Sequence, residues 1–374
     1  MSEVSYRLHL GDEPASEKQL ARIESVEVSQ EMDTAWQALI RVPVCLDESG
    51  KWSDEAESFM TAFSRVRVEV DPGSGTYVPL IDGPVVTRRA ARSNQPGEST
   101  VTLVVHDDSV YLDRNAEIFR HEQRSDSDIA ADIFSNFNDV ITSTDIDSVP
   151  NSSSGRPREE VQRETAMVYL RRLARRNQLH AYVLPGSQPG ESIGVFKGLP
   201  TEADSTLPPL VVPGSDSNVQ STDHEFNAQM PARVVAFTLS LCDKSELSET
   251  GTIVDQRSFG DEDLLGSVDG STELLDPGTG ESGDLRDRAQ ASAGSSRWAS
   301  RLAGSVREGC YSAALEPYKA VQVRMGASSS SGNYVIRSVT HNLDRGSYRQ
   351  SFQLITDGQS TVGSAGSLIP SGIV

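Results

Sequence analysis

The sequence predicts an α+β protein that is mostly β, with two β-rich halves on either side of a small helix-and-hairpin module. Residues 1–110 contain six or seven short segments in which apolar and polar residues alternate, as in half-buried strands. Residues 111–200 contain two amphipathic helices and a hairpin, and residues 201–357 return to alternating segments. We therefore expect three structural units, followed by a Gly/Ser-rich arm over residues 358–374.

The first unit, residues 1–110, is predicted as a β domain with one short helix. Acidic residues follow Ser53 and apolar residues recur at Phe59, Met60 and Phe63, which predicts a helix over 53–63. Pro72-Gly73 and Gly75 mark a turn between two strands. The predicted strands cover residues 5–10, 23–29, 35–45, 66–70, 77–81, 83–89 and 99–106.

The second unit, residues 111–200, is predicted as a small α+β insertion. Its first helix, 125–136, begins after Ser125 as N-cap, and its second helix ends at Asn177. In the second helix the arginines of residues 171–176 lie opposite one apolar stripe, where they also complement the helix dipole. A strand over 180–184 and a short apolar run over 194–198 complete a hairpin. The stripe consists of Met167, Tyr169, Leu170, Leu173 and Ala174.

The third unit, residues 201–357, is predicted as a second β domain. Residues 208–216 are rich in Pro and Gly and are predicted as a connecting segment. Residues 233–242 form the clearest predicted strand of this unit. Residues 255–287 are acidic, rich in Gly and Ser and without period, which predicts a long solvated loop. Residues 285–306 are rich in Ala and Arg and are predicted as a helix. Three strands over 320–325, 333–342 and 347–357 close the unit.

The chain is strongly acidic, with a net charge of -20 and a pI of about 4.7. Of its 34 basic residues only five are lysine. Two interpretations remain open: adaptation to a high-salt cytoplasm, where screening removes self-repulsion, and an ordinary acidic soluble protein. A folding titration against KCl distinguishes them. In both cases direct nucleic-acid binding is not expected, because proteins that bind nucleic acid without sequence preference have a positively charged surface.

Cysteine usage and the N-terminus indicate a reduced protein that is made in the cytoplasm. Cys45, Cys242 and Cys310 are odd in number and widely spaced, which favours neither a disulfide framework nor a zinc site. We expect all three to be small buried residues. The first residues lack a basic region followed by an apolar core, so no secretory signal is predicted. No apolar run is long enough for a transmembrane helix, so we expect no membrane insertion by this chain.

One catalytic pattern occurs, at Gly190 to Gly194, where Ser192 occupies the nucleophile position of G-x-S-x-G. That pattern requires a strand before the serine and a helix after it. Here Pro185, Gly186 and Pro189 precede it and a short strand-like run follows, so a hairpin loop is the simpler interpretation. A serine hydrolase that uses Ser192 remains the alternative, and a helix beginning after Gly194 would favour it.

The remaining candidate sites are weaker, and we expect no catalytic, cofactor-binding or metal-binding residue. The acidic stretch at Asp261, Glu262, Asp263 and Asp269 suggests calcium but lacks the alternating ligands and distal Glu of a calcium loop. The arginines of 171–176 are compatible with phosphate binding or with a solvated helix face. No P-loop or dinucleotide fingerprint occurs. The histidines lack metal spacing, and most of them lie in or beside predicted strands: His9, His106, His121, His180, His224 and His341.

Four segments of the chain, which occur in the same order as in a known family, carry a resemblance to it. The run YLRRLARR at 169–176 leads into a strand, and SDSDIAADIF precedes it at 125–134. The closing segment 317–354 contains GNYVIRSVTH, and the N-terminal segment 22–52 adds a strand, an acidic turn and a second strand. Together they resemble the phage late control protein D family, the baseplate hubs of contractile tails. Relatives occur in extracellular contractile injection systems and in the hub part of the type VI secretion spike.

The resemblance implies a non-enzymatic homotrimer. Each subunit would contribute two tube-like β-barrel domains, 1–110 and 201–357, so that three subunits adapt a hexameric inner tube to a trimeric spike. The chain ends soon after the closing strands, so we expect a separate spike protein, with the 358–374 arm as a docking segment. Partners would be the spike, the inner tube and other baseplate proteins, in a phage-tail-like particle. Another β-rich virion or adhesin component is a further alternative.

Overall fold

A computed structural model describes most of the chain: residues 5–11, 13–55, 57–122, 124–149, 159–239, 244–253, 259, 262–263, 271–275, 282–344 and 346–359. Cys242, Asp261 and Asp269 lie outside these residues, as do most of the predicted acidic loop and the arm from residue 360 onward. The side chains of Glu262 and Asp263 are also outside the description. Predictions about these parts of the chain are neither confirmed nor contradicted.

The described residues form 23 strands and five α-helices, in agreement with the prediction of a mostly β protein. The first third of the chain contains β1 Ser5–Leu10, β2 Glu13–Pro14, α1 Glu17–Leu20, β3 Ser25–Glu31, β4 Gln37–Pro43, β5 Arg65–Asp71, β6 Val78–Ala91, β7 Thr100–His106 and α2 Ser109–Leu112. The middle contains β8 Phe119–Glu122, α3 Asp126–Ser135, β9 Ile141–Ile146, β10 Glu159–Gln162, α4 Ala166–Arg176, β11 His180–Pro185 and β12 Ser192–Lys197.

The rest of the chain is again dominated by strands. It contains β13 Leu210–Val211, β14 Val219–Phe226, β15 Arg233–Leu239, β16 Glu246–Thr252, β17 Glu262–Asp263, β18 Thr272–Leu274, α5 Ser282–Ser296, β19 Ser300–Val306, β20 Ala320–Arg324, β21 Gly332–Asp344, β22 Ser347–Thr356 and β23 Gly358–Gln359. None of the helices in the described part of the chain combines the length and the apolar character that crossing a membrane would need.

One 13-stranded sheet runs through both β-rich halves. Its strand order is β14-β19-β22-β21-β3-β4-β7-β6-β5-β1-β2, with β20 and β13 branching from β21. The two halves meet where β21 pairs with β3 in antiparallel register, from Ser338 opposite Glu31 to Asp344 opposite Ser25. The β-rich segments at the two ends of the sequence are therefore hydrogen-bonded to each other.

Each half contains a three-strand antiparallel meander, built around one long strand. In the first half, β6 pairs with β5 through its first residues and with β7 through its last. In the second half, β21 pairs with β20 through its first residues and with β3 through its last, while β22 runs along it. Both long strands carry a register shift, at Val85/Thr87 and at Ile336/Ser338, and such bulges bend a strand. The two meanders thus share their order of pairing and a bulge in the long strand.

Three main apolar cores underlie these parts. The first half packs around fully buried side chains such as Trp36 and Ile40, and its core extends to Leu343 and Ile355 of the second half. A second core lies under β19 to β22. The third belongs to the inserted module, where α3 and α4 pack on the small sheet β11-β12-β9.

One predicted helix is wrong, and a second is correct only in part. Only one 3-10 turn, Ser58–Met60, forms within 53–63. The Asp54 side chain is buried against Arg88 and Arg92, and Phe63 has a φ of 62°, which a right-handed helix does not allow.

The predicted helix over 285–306 is correct only up to Ser296, because residues 300–306 form β19. This strand is paired on both sides, with β14 and with β22. Its Gly304 lies against the Ser221 carbonyl so closely that an added Cβ would be 2.6 Å from the oxygen. Nonlocal pairing therefore overrides the local helix preference of this Ala-rich segment.

Candidate functional site

The inserted module is organised around α4, whose boundaries agree with the prediction. Thr165 caps its N-terminus by accepting a hydrogen bond from the Val168 amide, and Asn177 is its C-cap. The predicted apolar stripe is buried, with Tyr169, Leu170 and Leu173 each 0% exposed. The helix therefore supplies one side of the module's core and turns its arginines away from it.

The neighbouring α3 packs on the small sheet, and its closest approach to a glycine there involves the Phe134 ring. A Cβ added to Gly194 of β12 would lie 2.6 Å from the Phe134 ring. Ser125 caps α3 by accepting a hydrogen bond from the Asp128 amide at 3.1 Å, as the sequence predicted. Gly194 is thus a packing residue, which explains the second glycine of the G-x-S-x-G pattern without catalysis.

The module is fastened to the first half by a buried arginine. Arg67 of β5 is 1% exposed, and it donates to Glu69 at 2.7 Å and to Asp82 at 3.1 Å. The same guanidinium donates to the carbonyls of Gly186 at 2.9 Å and Gln188 at 3.0 Å, in the loop between β11 and β12. One side chain therefore joins two acidic groups of the first half to the hairpin tip of the module.

Ser192 belongs to a second fastening of the same kind. Its side chain is fully buried, and its Oγ donates to Oδ2 of Asp108 at 2.8 Å. Arg65 donates to both oxygens of this carboxylate. Burial raises the pKa of the Asp108 carboxyl, although the hydrogen bonds from Arg65 and Ser192 oppose that shift. The serine is held as a hydrogen-bond donor between two parts of the fold.

The elbow that a serine nucleophile needs is not formed at Ser192. The residue begins β12, and this strand continues to Lys197 where a hydrolase would begin a helix. Within the described hydrogen bonds, the side chain of Ser192 meets a carboxylate and no histidine. A helix after Gly194 would have favoured the hydrolase hypothesis, but the segment forms the second strand of a hairpin.

Aromatic and polar contacts join the module to the second half. The rings of Tyr182 in β11 and Tyr318 stack in parallel with centroids 3.6 Å apart. Tyr318 also accepts a hydrogen bond from the Asp33 amide at 2.7 Å, and the Asp33 carboxylate lies 3.0 Å from Nδ1 of His180. Burial raises the pKa of the Tyr182 hydroxyl, so the stacked pair stays neutral.

A buried histidine lies where the two halves join. His341 of β21 is fully buried, with Nδ1 2.8 Å from the Tyr348 hydroxyl and Nε2 3.2 Å from Oε1 of Gln30 in β3. Burial lowers the pKa of His341 to about 3. The imidazole is therefore neutral at physiological pH and connects strands of the two halves.

The six histidines all lie in strands, including His121 and His224, where the sequence predicted none. Besides His180 and His341, His121 stacks on Tyr169 and His224 has its Nε2 2.7 Å from the Ser300 hydroxyl. No group of three or more potential metal ligands occurs among the described residues. Cys45 and Cys310 are exposed, so the expectation of buried cysteines is wrong for these two. Both lie in connections between strands, outside the apolar cores.

The arginines of α4 do not all face solvent. Arg172 and Arg175 are exposed, and Arg172 pairs with Glu164 at 2.7 Å. Arg176 is half-buried because it binds the carboxylate of Asp126, which is 2% exposed. The Nε and Nη2 atoms of Arg171 are enclosed without a hydrogen-bond partner in the described structure. The expectation of a solvated arginine face is therefore wrong for Arg171 and Arg176.

The large sheet leaves strand edges open. At one end, β14 pairs only with β19 among the described residues, and seven of its eight residues are exposed or half-buried. At the other end, β1 meets the two-residue β2 only through His9 and Leu10. Phe226 on β14 is 41% exposed. Such unpaired edges can accept a strand from another chain.

Comparison with known proteins gives no match to a family model and none to a curated protein. Solved structures do match. A tail protein from Neisseria meningitidis MC58 aligns over 95% of this chain and 97% of its own, with 14% identity and a TM-score of 0.64. The 43 kDa tail protein of prophage MuSo2 from Shewanella oneidensis aligns over 95% and 99%, with 14% identity and a TM-score of 0.65.

This chain has the fold of phage tail proteins. The structural similarity expected from the sequence resemblance is thereby confirmed over nearly the whole chain. A third structure, the E. coli c3393 protein, covers all of this chain and 81% of its own, with 12% identity and a TM-score of 0.55. It is described as a component of the type VI secretion system that is structurally similar to the T4 tail proteins gp27 and gp5.

Sequence reasoning missed the residues that fasten the module. Arg67 lies in a segment that alternates Arg and Glu with Val, which reads as a strand with one solvated face. The alternation predicted β5 but did not indicate that its polar face would also be buried. The only hint in the sequence is that Arg67 and Glu69 are followed by an acidic residue, Asp82, in the next strand.

Proposed function

We propose that this protein is the structural baseplate hub of a contractile phage tail or injection system. In this role it forms a homotrimer that joins a hexameric inner tube to a trimeric spike. The observation that carries the proposal is the repeated meander, β5-β6-β7 and β20-β21-β22, each with one long bent strand. Three copies of a chain with two such units present six similar units to a hexameric tube.

The open strand edges support assembly into a ring. A cyclic trimer uses heterologous contacts, in which one surface of a subunit meets a different surface of the next. The strand order begins at β14 and ends at β1 with its two-residue partner β2, so its two ends offer two such different surfaces. Ring closure would also cover the exposed Phe226 and remove the edges as sites of nonspecific pairing.

The fold comparisons support a tail component and a secretion-system relative. Two tail proteins match this chain over 97% and 99% of their own lengths. A type VI secretion component described as similar to T4 tail proteins matches it over 81%. The partners that we propose are a separate spike protein, the inner tube protein and other baseplate proteins.

The decisive experiment measures the mass of the protein co-expressed with the spike protein of its own particle. We expect a complex with three copies of the 40.5 kDa chain and three of the spike. Because assembly of a trimer can depend on the spike, the protein alone is only the control. A complex that contains one or six copies of this chain per spike trimer would overturn the adaptor role.

Particle imaging tests the location independently. In purified particles, density for this chain should lie between the inner tube and the spike, and protein quantification should give equal numbers of hub and spike chains. Density distributed along the tube, or on the outer surface as for an adhesin, would contradict the proposal.

A further inference from the structure

An open cleft lies where the inserted module, α5 and the central sheet meet, and we call it the arginine cleft. Its volume is about 1170 Å³, and seven arginines are among the residues that line it. They come from α4, from α5 and the residue after it, and from β19 and β21. This concentration of cations is unexpected in a chain whose net charge is -20.

Carboxylates of the same chain neutralise four of these arginines. Two of the ion pairs fix the walls of the cleft, since Arg176 binds a buried aspartate and Arg297 binds Asp357, which is 3% exposed. The four pairs are Arg172 with Glu164, Arg176 with Asp126, Arg297 with Asp357 and Arg337 with Glu31.

The guanidinium groups of the other three, Arg175, Arg288 and Arg301, make no hydrogen bond or ion pair in the described structure. Arg175 and Arg301 are exposed, and Arg288 is half-buried. The dipole of α4 favours a cation at Arg175, near its C-terminus, but it does not explain Arg288 or Arg301, which lie on other elements. Like charges brought together from three elements repel each other unless a counter-charge joins them.

The carboxyl group of Asp33, at the rim of the cleft, is sensitive to this positive charge. Its burial would raise its pKa. The hydrogen bond and charge of His180, together with the charges of Arg175 and Arg171, outweigh burial and hold the pKa of Asp33 below its ordinary value. The charge of Arg175 thus contributes, after His180, to keeping a carboxylate of the cleft lining ionised.

Apolar side chains line the same space and narrow the choice of ligand. Trp298, Met230 and Leu275 are among the lining residues, and all three are partly buried against apolar clusters. The volume exceeds the usual range of small-molecule sites, which is roughly 300–1,000 Å³. A segment with both carboxylate and apolar side chains fits these walls.

We propose that the arginine cleft binds an acidic polypeptide segment of another baseplate component. This inference rests on the proposed hub function for the source of the segment. Guanidinium groups bind carboxylates in a planar, bidentate geometry, and three of them are free here. A nucleic acid is a poorer fit, because a chain with a net charge of -20 would repel a long polyanion.

A binding experiment tests the cleft in the full-length protein. The probe is a short fluorescein-labelled peptide that alternates Glu and Leu, and fluorescence anisotropy at low salt measures its affinity. The cleft variant Arg175→Glu/Arg288→Glu/Arg301→Glu should bind at least about tenfold more weakly than the native protein. None of these three side chains holds a partner, so the variant should keep the native circular dichroism spectrum.

A matched variant controls for net charge. Arg89, Arg163 and Arg307 are exposed and lie outside the cleft lining. Arg89→Glu/Arg163→Glu/Arg307→Glu changes the charge by the same amount and should bind the peptide like the native protein. Equal loss in both variants, or equal affinity in the cleft variant and the native protein, would overturn the proposal. So would tighter binding of a single-stranded DNA of equal charge, or binding of pyrophosphate but not of the peptide.

Cross-linking in the particle separates this proposal from the hub function. Ser295 is exposed and lines the cleft, so a photoreactive amino acid in its place reports what lies there. We expect a cross-link to an acidic stretch of a different baseplate protein. Cross-links to this chain alone would overturn the cleft proposal, whereas the hub proposal is judged separately by the count of three copies per spike trimer.

Discussion

The fastening of the module through Arg67 makes a quantitative prediction. Arg67→Met keeps much of the side-chain volume but removes the charge and every donor. Glu69 and Asp82 would keep other partners, because Arg7 also binds Glu69, and Arg65 donates to Asp82 at 2.7 Å. The carbonyls of Gly186 and Gln188 would lose the donor that reaches them from β5.

The expected loss follows from these contacts. Removing one partner of a buried ion pair costs about 3–5 kcal/mol when the other charge is left alone. Here the remaining arginines reduce that penalty, while each carbonyl left without a donor adds about 1–3 kcal/mol if water does not replace it. We therefore expect Arg67→Met to lower the free energy of unfolding by about 3 kcal/mol.

Arg7→Gln is the matched control, because Arg7 binds the same carboxylate of Glu69 with a half-exposed side chain. A pair of this kind contributes about 0–1 kcal/mol. Urea denaturation at one protein concentration measures both variants, and hydrogen exchange at residues 186–190 reports whether the hairpin tip loosens in Arg67→Met. A loss below about 1 kcal/mol for Arg67→Met, or equal losses in the two variants, would refute the reasoning.

Two further predictions concern the junction and the module core. Because burial lowers the folded-state pKa of His341 to about 3, protonation favours the unfolded chain. The contribution of the neutral His341 to the free energy of unfolding is complete above about pH 6.5. It is lost as the pH falls toward 3, with a slope approaching about 1.4 kcal/mol per pH unit, and His341→Gln should flatten this part of a pH–stability curve. Gly194→Ala should destabilise the protein by about 1–3 kcal/mol because of the Phe134 ring, whereas Gly198→Ala, with 3.5 Å to its nearest neighbour, should be nearly neutral by thermal unfolding. A pH–stability curve of His341→Gln equal to that of the native protein would contradict the first prediction. Equal melting temperatures of Gly194→Ala and Gly198→Ala would contradict the second.

The local elements were predictable where one face of a segment is buried and the other is solvated. The boundaries of β1 agree with the prediction, and α4 ends where Asn177 indicated. Both segments carry a clear apolar period, so burial and sequence pattern coincide. The polar edge strand β14 has no such pattern, because most of its side chains are exposed, and it went unpredicted.

The long-range pairing was beyond the reach of local pattern. The strands β3 and β21 lie about 300 residues apart in the chain, and nothing in either one specifies the other as a neighbour. The same limit applies to the arginine cleft. Of its three free arginines, only Arg175 belongs to the cluster that drew attention in the sequence, while Arg288 and Arg301 join it through the packing of α5 and the pairing of β19.

The inserted module, which contains the arginine-rich helix α4, lies between the two halves of the chain. The contacts of Arg67 and Ser192 bind the hairpin to the first half, and the stacked Tyr182 and Tyr318 bind it to the second. The module therefore contacts both halves and connects them. Because α4 is fixed in this module, the free Arg175 is held at a defined place beside the central sheet. A partner that binds there would contact all three parts of the chain at once, and it would favour the arrangement in which they are assembled.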